Sequence, residues 1–280
     1  MTVITLIKKI LLWGILLTAI VLIAGVYRFL YGFGAVTTLA DMSANRERAL
    51  AAFGNADQSM NALLSLADDD QGYRPLFDGE TLAGWHGAPG YWRVAGGEIV
   101  GESKQVLKIP QYLVSDTVAD NFSIKFDFLV DGDSFANSGL FYRVEVSDMA
   151  GNPPINAYQA DIDVLGFTHW AGAFYHEHGP GEGSTITFTG ERVWVDPDGG
   201  RVLIKPLGDP KQLQKLIAKG KWSSYTIVAK EGRFIHRIDG TVFSDTLLET
   251  VLLANGVLAL QLHPGPPMQV RFRNLRIKQL

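Results

Sequence analysis

The sequence predicts an all-β domain, a sandwich or barrel built from many short strands. Glycine is abundant, at 30 of 280 residues, and turn pairs recur along the chain. Between the turns lie short segments in which apolar and polar residues alternate, the period of a half-buried strand. Residues 73–280 also suit one domain of this kind, because all-β domains commonly exceed 200 residues.

The chain opens with Lys8 and Lys9, followed by an uncharged run from Ile10 to Tyr27 that Arg28 closes. A helix of that length spans about 27 Å, close to the hydrocarbon thickness of a bilayer. Phe29, Tyr31 and Phe33 suit the interface beyond it. The expectation is a retained membrane anchor over residues 1–36. A cleaved signal peptide is the competing reading, but such segments usually have an apolar region of about 7–15 residues and a small-x-small cleavage site. Gly25-Val-Tyr-Arg-Phe29 supplies no clean one. Paired lysines on the short side place the N-terminus in the cytoplasm. The implied location is the inner (cytoplasmic) membrane, single-pass, with the domain facing the periplasm or the extracellular side.

Residues 37–72 differ in character. Up to Ala67 they are rich in Ala, Glu, Arg, Leu, Met and Gln and lack Pro. Leu39, Met42, Ala49, Phe53, Ala56, Met60 and Leu63 form a heptad-like apolar stripe, interrupted by Arg46 and Gly54. A helical stalk is expected. It either spaces or packs on the domain or, as a homo-oligomer contact, joins two copies; the stripe is short for the second role. Asp68-Asp-Asp-Gln-Gly72 reads as a polar linker.

Within the domain, strands are expected at Phe122–Val130, Ser184–Phe188, Tyr225–Lys230, Phe234–Asp239, Val257–Leu262 and Met268–Arg273. Asp239-Gly240 signals a hairpin. Only Asp209–Ala218 reads as a helix, with Asp209 as cap and Pro210 in the first turn. Apolar residues make up 47%, enough for a sizeable core, and the net charge is −4. No basic run argues for nucleic acid. Cysteine is absent, so an exported domain must rely on its core rather than on disulfides.

Period-2 alternation also assigns strand faces. Tyr158, Ala160 and Ile162 share one face; Gln159, Asp161 and Asp163 share the other. Phe141 and Arg143 lie together. Leu260 and Leu262 point to the core, while Ala259, Gln261 and His263 point outward. His236 shares a face with Phe234 and Ile238. If these strands are neighbours, Arg143, Gln159, Asp161, Asp163, Gln261 and His263 converge on one sheet face, offering hydrogen-bond partners to sugar hydroxyls. Trp170 and Tyr175 are candidate apolar walls for a sugar ring. Trp85 and Trp92 are candidates too, although core positions suit them better. The segment Phe167–Gly181, read as a loop, holds His169, His176, Glu177 and His178, which makes a divalent metal a possible cofactor, although the spacing matches no established zinc motif.

Two segments near the ends of the domain carry a family resemblance. One is Leu76-Phe-Asp-Gly-Glu-Thr-Leu-Ala-Gly-Trp85, with Tyr91-Trp92 and Gly97-Glu-Ile-Val-Gly-Glu-Ser103 close behind. The other is Leu258–Ile277, containing Gln261-Leu-His-Pro-Gly-Pro-Pro-Met268 and Arg271-Phe-Arg-Asn-Leu-Arg276. Asn137-Ser-Gly-Leu-Phe-Tyr-Arg143 and Trp222–Lys230 lie between them. Together they resemble the 3-keto-disaccharide hydrolase domain family over about Tyr73 to Leu280. The resemblance implies a concanavalin-A-like sandwich whose concave sheet holds the site, and Ala171-Gly-Ala-Phe-Tyr175 is similar to a segment that borders the family's cleft.

The resemblance also implies chemistry. A ketone at C3 of a glucose-type ring acidifies the C2 proton. A base removes it, the enediolate expels the group at C1, and water adds back. Such a site needs a base, an oxyanion stabiliser and an acid for the leaving oxygen. Asp161 or His263 is the candidate base, Arg143 or a bound metal the stabiliser, and Glu102 the acid, with Gln159, Asp163 and Gln261 holding substrate. Direct two-carboxylate hydrolysis is an alternative. The chain departs from the family at Tyr158-Gln-Ala-Asp-Ile-Asp-Val164, where many members read Tyr-Glu-x-Gln-Ile-x-Asp. Gln159 and Val164 replace acids, which favours a non-catalytic lectin-like domain; a structural envelope protein that uses the fold and the Thr37–Ala67 helix for assembly is a further alternative.

Overall fold

A computed structural model describes residues 39–280 apart from 133–135, 147–151, 153–154, 165–168 and 180–181. The candidate anchor, residues 1–36, lies outside the described residues. Among the described residues no helix is long and apolar enough to cross a membrane.

Two sheets form a sandwich. The ten-stranded sheet runs, edge to edge, through β12 (Arg201–Pro206), β11 (Glu191–Val195), β15 (Thr241–Leu248), β14 (Arg233–Ile238), β13 (Ser223–Lys230), β6 (Phe122–Gly132), β17 (Met268–Gln279), β4 (Glu98–Ser103) and β3 (Trp92–Ala95), with β1 (Arg74–Pro75) beside β17. The seven-stranded sheet runs through β10 (Glu182–Thr187), β9 (Phe174–Gly179), β8 (Asn156–Asp163), β7 (Asn137–Glu145), β16 (Val257–Leu262), β5 (Gln111–Ser115) and β2 (Trp85–Gly87). The β11–β15 pair is parallel. Asp239 and Gly240 join β14 to β15 with φ of 46° and 78°, the left-handed pair that a tight hairpin turn requires.

The alternating apolar residues of both sheets meet in one core. Phe122, Ile124, Phe126, Phe128 and Val130 of β6 belong to the same buried cluster as Tyr142, Tyr158, Phe174, Leu260 and Leu262. Rings pack in series, with Phe174 stacked on Phe234 at 4.8 Å and on Tyr142 at 6.2 Å. His236 lies wholly within this core. Its Nδ1 faces the Ala173 carbonyl at 3.2 Å and its Nε2 faces the Tyr142 hydroxyl at 3.0 Å. A carbonyl only accepts, so Nδ1 carries the proton and Tyr142 donates to Nε2. Burial pushes the imidazole down to about 4, so the ring is neutral. Trp85 and Trp92 are also core residues, and Trp85 Nε1 donates to the Leu76 carbonyl at 2.9 Å.

Among the described residues two helices precede the sandwich, α1 (Leu39–Phe53) and α2 (Ala56–Asp68). Gly54, at φ 53°, ends the first, and Asn55 caps the second by accepting from Gln58 N. Their apolar stripe rests on the ten-stranded sheet. Ala49 and Phe53 pack with Trp194, while Leu64 and Ala67 pack with Val228 and Ile235. The linker is docked as well, with Lys125 donating to Asp70 at 2.8 Å and Lys278 Nζ donating to the Asp69 carbonyl at 3.1 Å. A third helix, α3 (Pro210–Gln214), starts where the sequence predicts, with Asp209 accepting from Lys211 N at 2.9 Å.

Candidate functional site

The outward face of the seven-stranded sheet is polar at one end and apolar at the other. Gly139 of β7 lies at the polar end, opposite Asp161 of β8. A Cβ at Gly139 would sit 2.2 Å from Gln159 Nε2, so the absent side chain leaves the space that the Gln159 amide fills. Gln159 Nε2 then donates to Gln261 Oε1 at 3.0 Å across β7. Beside this amide pair, Asn137 Nδ2 donates to Asp161 Oδ1 at 3.1 Å. Asp163 lies fully buried at the strand end, whose backbone is held by Gln214 Nε2 donating to the Asp163 carbonyl at 2.7 Å.

This environment perturbs the ionisable groups. Burial, and secondarily the neighbouring Asp163 charge, pushes Asp161 well above the usual carboxylate range, against the Asn137 hydrogen bond. Burial pushes His263 down, and its Nδ1 is buried without a hydrogen-bond partner. Burial therefore favours the neutral imidazole of His263.

β9 supplies a second pair that sequence reasoning read as loop. Alternation sends Phe174 and His176 inward, where His176 Nε2 lies 3.0 Å from Asn156 Oδ1. Tyr175 and Glu177 share the outward face. Tyr175 pairs with Gln159, and Glu177 pairs with Ala157. Gly183 of β10 makes room for Tyr175, whose phenol oxygen lies 2.1 Å from where a Cβ would be. Burial, then the Glu177 and Asp161 charges, pushes Tyr175 up to about 12. Burial raises Glu177 to about 7, and its Oε1 is buried with no hydrogen-bond partner. The missed signal is the alternation Phe174-Tyr-His-Glu177 itself.

The rest of the face is closed. Tyr112, Val114, Phe141, Val144, Ile155, Ala157 and Ala259 form a separate cluster, none more than 3% exposed. Asn152, from the β7–β8 connection, reaches the edge of β5. It accepts from Tyr112 N at 2.8 Å and donates to the Pro110 carbonyl at 2.7 Å. On β7 and β16 the polar groups therefore lie at the Gly139 end, while on the β9 side Tyr175 and Glu177 carry them further, opposite Gln159 and Ala157.

Two predicted site residues lie elsewhere. Arg143 does not share the face of Phe141. A bulge between Tyr142 and Glu145 and a φ of 51° turn it away. It is 1% exposed, and its guanidinium donates to the Asp120 carbonyl at 2.7 Å and the Leu253 carbonyl at 3.1 Å, tying loops together at a sheet end. Glu102 belongs to the ten-stranded sheet, where it pairs with Arg93 at 3.3 Å. Neither can act at the polar end of the other sheet. Gln159, Asp161, Asp163, Gln261 and His263 are brought together. Trp170, 45% exposed, lies in the β8–β9 connection. His169 lies in the same connection, apart from the inward His176, and the side chain of His178 is outside the described residues. Among the described residues no three His, Asp or Glu side chains converge to hold a metal ion.

A family model described as a 3-keto-alpha-glucoside-1,2-lyase-like domain matches residues 72–278. No curated protein matches the chain. Among solved structures, the chain is similar to a carbohydrate binding module, CBM66, from Bacillus subtilis (17% identity, 70% of this chain and 96% of that one, TM-score 0.46). It is similar to a provisionally assigned glycosyl hydrolase from Parabacteroides distasonis (18% identity, 74% and 99%, TM-score 0.49). It is also similar to a Bacillus licheniformis beta-glucanase (10% identity, 74% and 97%, TM-score 0.43).

Proposed function

The chain belongs to the 3-keto-alpha-glucoside-1,2-lyase-like domain family, and from that premise we propose that the polar end of its seven-stranded sheet cleaves 3-keto-glycosides. The observation that carries this reading is the convergence of Asp161, Asp163 and His263 with the Gln159–Gln261 amide pair around Gly139. The amides and Asn137 hold sugar hydroxyls. Asp161 or His263 takes the C2 proton. His263 is the better suited, because burial keeps its ring neutral, whereas burial favours the protonated form of Asp161. The C2 electron pair then expels the C1 substituent, and water adds to C1.

The closed apolar half of the face favours a short substrate over a long polymer. A tether through Ile10–Tyr27 would place the domain on the outer side of the cytoplasmic membrane, a reading that rests on the Lys8-Lys9 pair and the length of the run. Incubating the full chain with 3-keto-trehalose and 3-keto-glucosides, and following release of the 3-keto sugar by mass spectrometry, tests the proposal. Release is expected from the wild type and is expected to fall by at least about a hundredfold in Asp161→Asn or His263→Ala. Full turnover in both variants would remove both base candidates.

A second reading, sugar binding without turnover, is favoured by one observation. Gln159 stands where many members carry a glutamate, and its amide is engaged with Gln261. Calorimetric binding of the same sugars with no release would select it.

A further inference from the structure

With Glu102 and Arg143 placed elsewhere, the proposed reaction lacks a group to protonate the departing oxygen. We propose that Glu177, with Tyr175 beside it, is the acid that protonates the leaving group. The proposal rests on the cleavage reading above.

Three features of geometry carry it. Glu177 lies on the same outward face as Gln159 and Asp161, brought there by β9 pairing with β8. Its Oε1 is shielded from water yet bonded to nothing, an arrangement that costs stability unless a ligand completes it. Its place along the sheet is apt, because it sits opposite Ala157, four residues along β8 from Asp161. That is about 13 Å along the sheet at the rise of a strand. Elimination needs a base at C2 and an acid at the neighbouring C1 oxygen.

Protonation fits as well. Burial holds the carboxyl near 7, so a substantial fraction carries a proton at neutral pH. The groups that feel its charge are the phenols of Tyr175 on its own strand and Tyr112 on β5, both raised by burial first and by Glu177 second. Asp161 on β8 acts on Tyr175 in turn. As the C1–O bond breaks, the C2 carbanion pair closes a C1=C2 double bond and the glycosidic oxygen takes the Glu177 proton. The products are an alcohol, an unsaturated 3-keto sugar and a Glu177 carboxylate. That carboxylate then accepts a proton from the water that adds to C1, while C2 takes one from the base after the base has exchanged its own proton with water. Water is the sole co-reactant, and the acid returns to its starting form.

Leaving-group dependence tests the role. A nitrophenolate departs without protonation, whereas a sugar or alkyl alkoxide does not. Glu177→Gln is expected to lower kcat about a hundredfold or more on 3-keto-trehalose, but less than about tenfold on a nitrophenyl 3-keto-glucoside. It should also remove the alkaline limb of the kcat–pH profile near 7. Glu177→Ala should regain part of the loss with added formate. Equal losses on both substrates, or a sugar substrate turned over at wild-type rate, would overturn the acid while leaving the cleavage reading intact. Wild-type protein that turns over neither substrate would overturn both.

Discussion

Gly139 shows how a missing side chain builds a site. Its emptiness lets two glutamines meet across β7, and Gly183 does the same for Tyr175. Gly139→Ala is expected to break the Gln159–Gln261 bond. The loss should be about 1 kcal/mol in stability, read as a lowered Tm, and at least about tenfold in kcat/KM. Unchanged kcat/KM would mean that the amide bridge does not hold substrate. Glu177 yields a test independent of activity. Its folded pKa, about 7, lies above the ordinary 4.5, so between those values the folded state holds a proton that the unfolded chain has lost. Its stabilising share is full below about pH 4.5, declines as pH rises to about 7, and is absent beyond. Glu177→Gln cannot ionise and should raise Tm at pH 8 relative to its effect at pH 4.5. Parallel Tm–pH profiles would show an ordinary, solvated carboxylate. Alternation alone placed Gln159, Asp161 and Gln261 on one face, because β8 and the Ala259–Leu262 part of β16 run without interruption there. It failed at Arg143, where a bulge shifts the count by one, and at Glu102, because period-2 counting gives a face and never says to which sheet the strand belongs.

At the scale of elements, the two helices are part of the fold. Asp245, fully buried on β15, accepts from Arg192 Nε at 2.6 Å and from Arg233 Nη2 at 2.7 Å. Those arginines reach onward to the helices, Arg192 to Asp57 at 2.7 Å and Arg233 to the Ala56 carbonyl at 3.2 Å. Phe53 lies over the Arg233 guanidinium at 4.5 Å. Removing the central anion leaves two buried cations on one carboxamide, so Asp245→Asn is expected to cost about 3–5 kcal/mol in denaturant unfolding. A cost below about 1 kcal/mol would mean that the helices are held by apolar contact alone. The stripe from Ala49 to Leu63 was legible as a helical face, but its spacing does not say what covers it. A second copy and a sheet satisfy the same period.

At the scale of the whole molecule, the fold was the most legible part. Hydrophobic alternation and turn chemistry are local, so strands such as Val257–Leu262 and the Asp239-Gly240 hairpin follow from neighbouring residues. The site is non-local: Gln159 meets Gln261 from 102 residues away. Its chemistry is set by burial, which a face assignment does not give. Whether this buried polar end abstracts the C2 proton of a 3-keto-glycoside is decided by running the reaction in D2O with the full chain. The expected product is a 3-keto sugar carrying one deuterium at C2, with release lost in Asp161→Asn or His263→Ala. No release, or a released sugar without deuterium at C2, would contradict that abstraction.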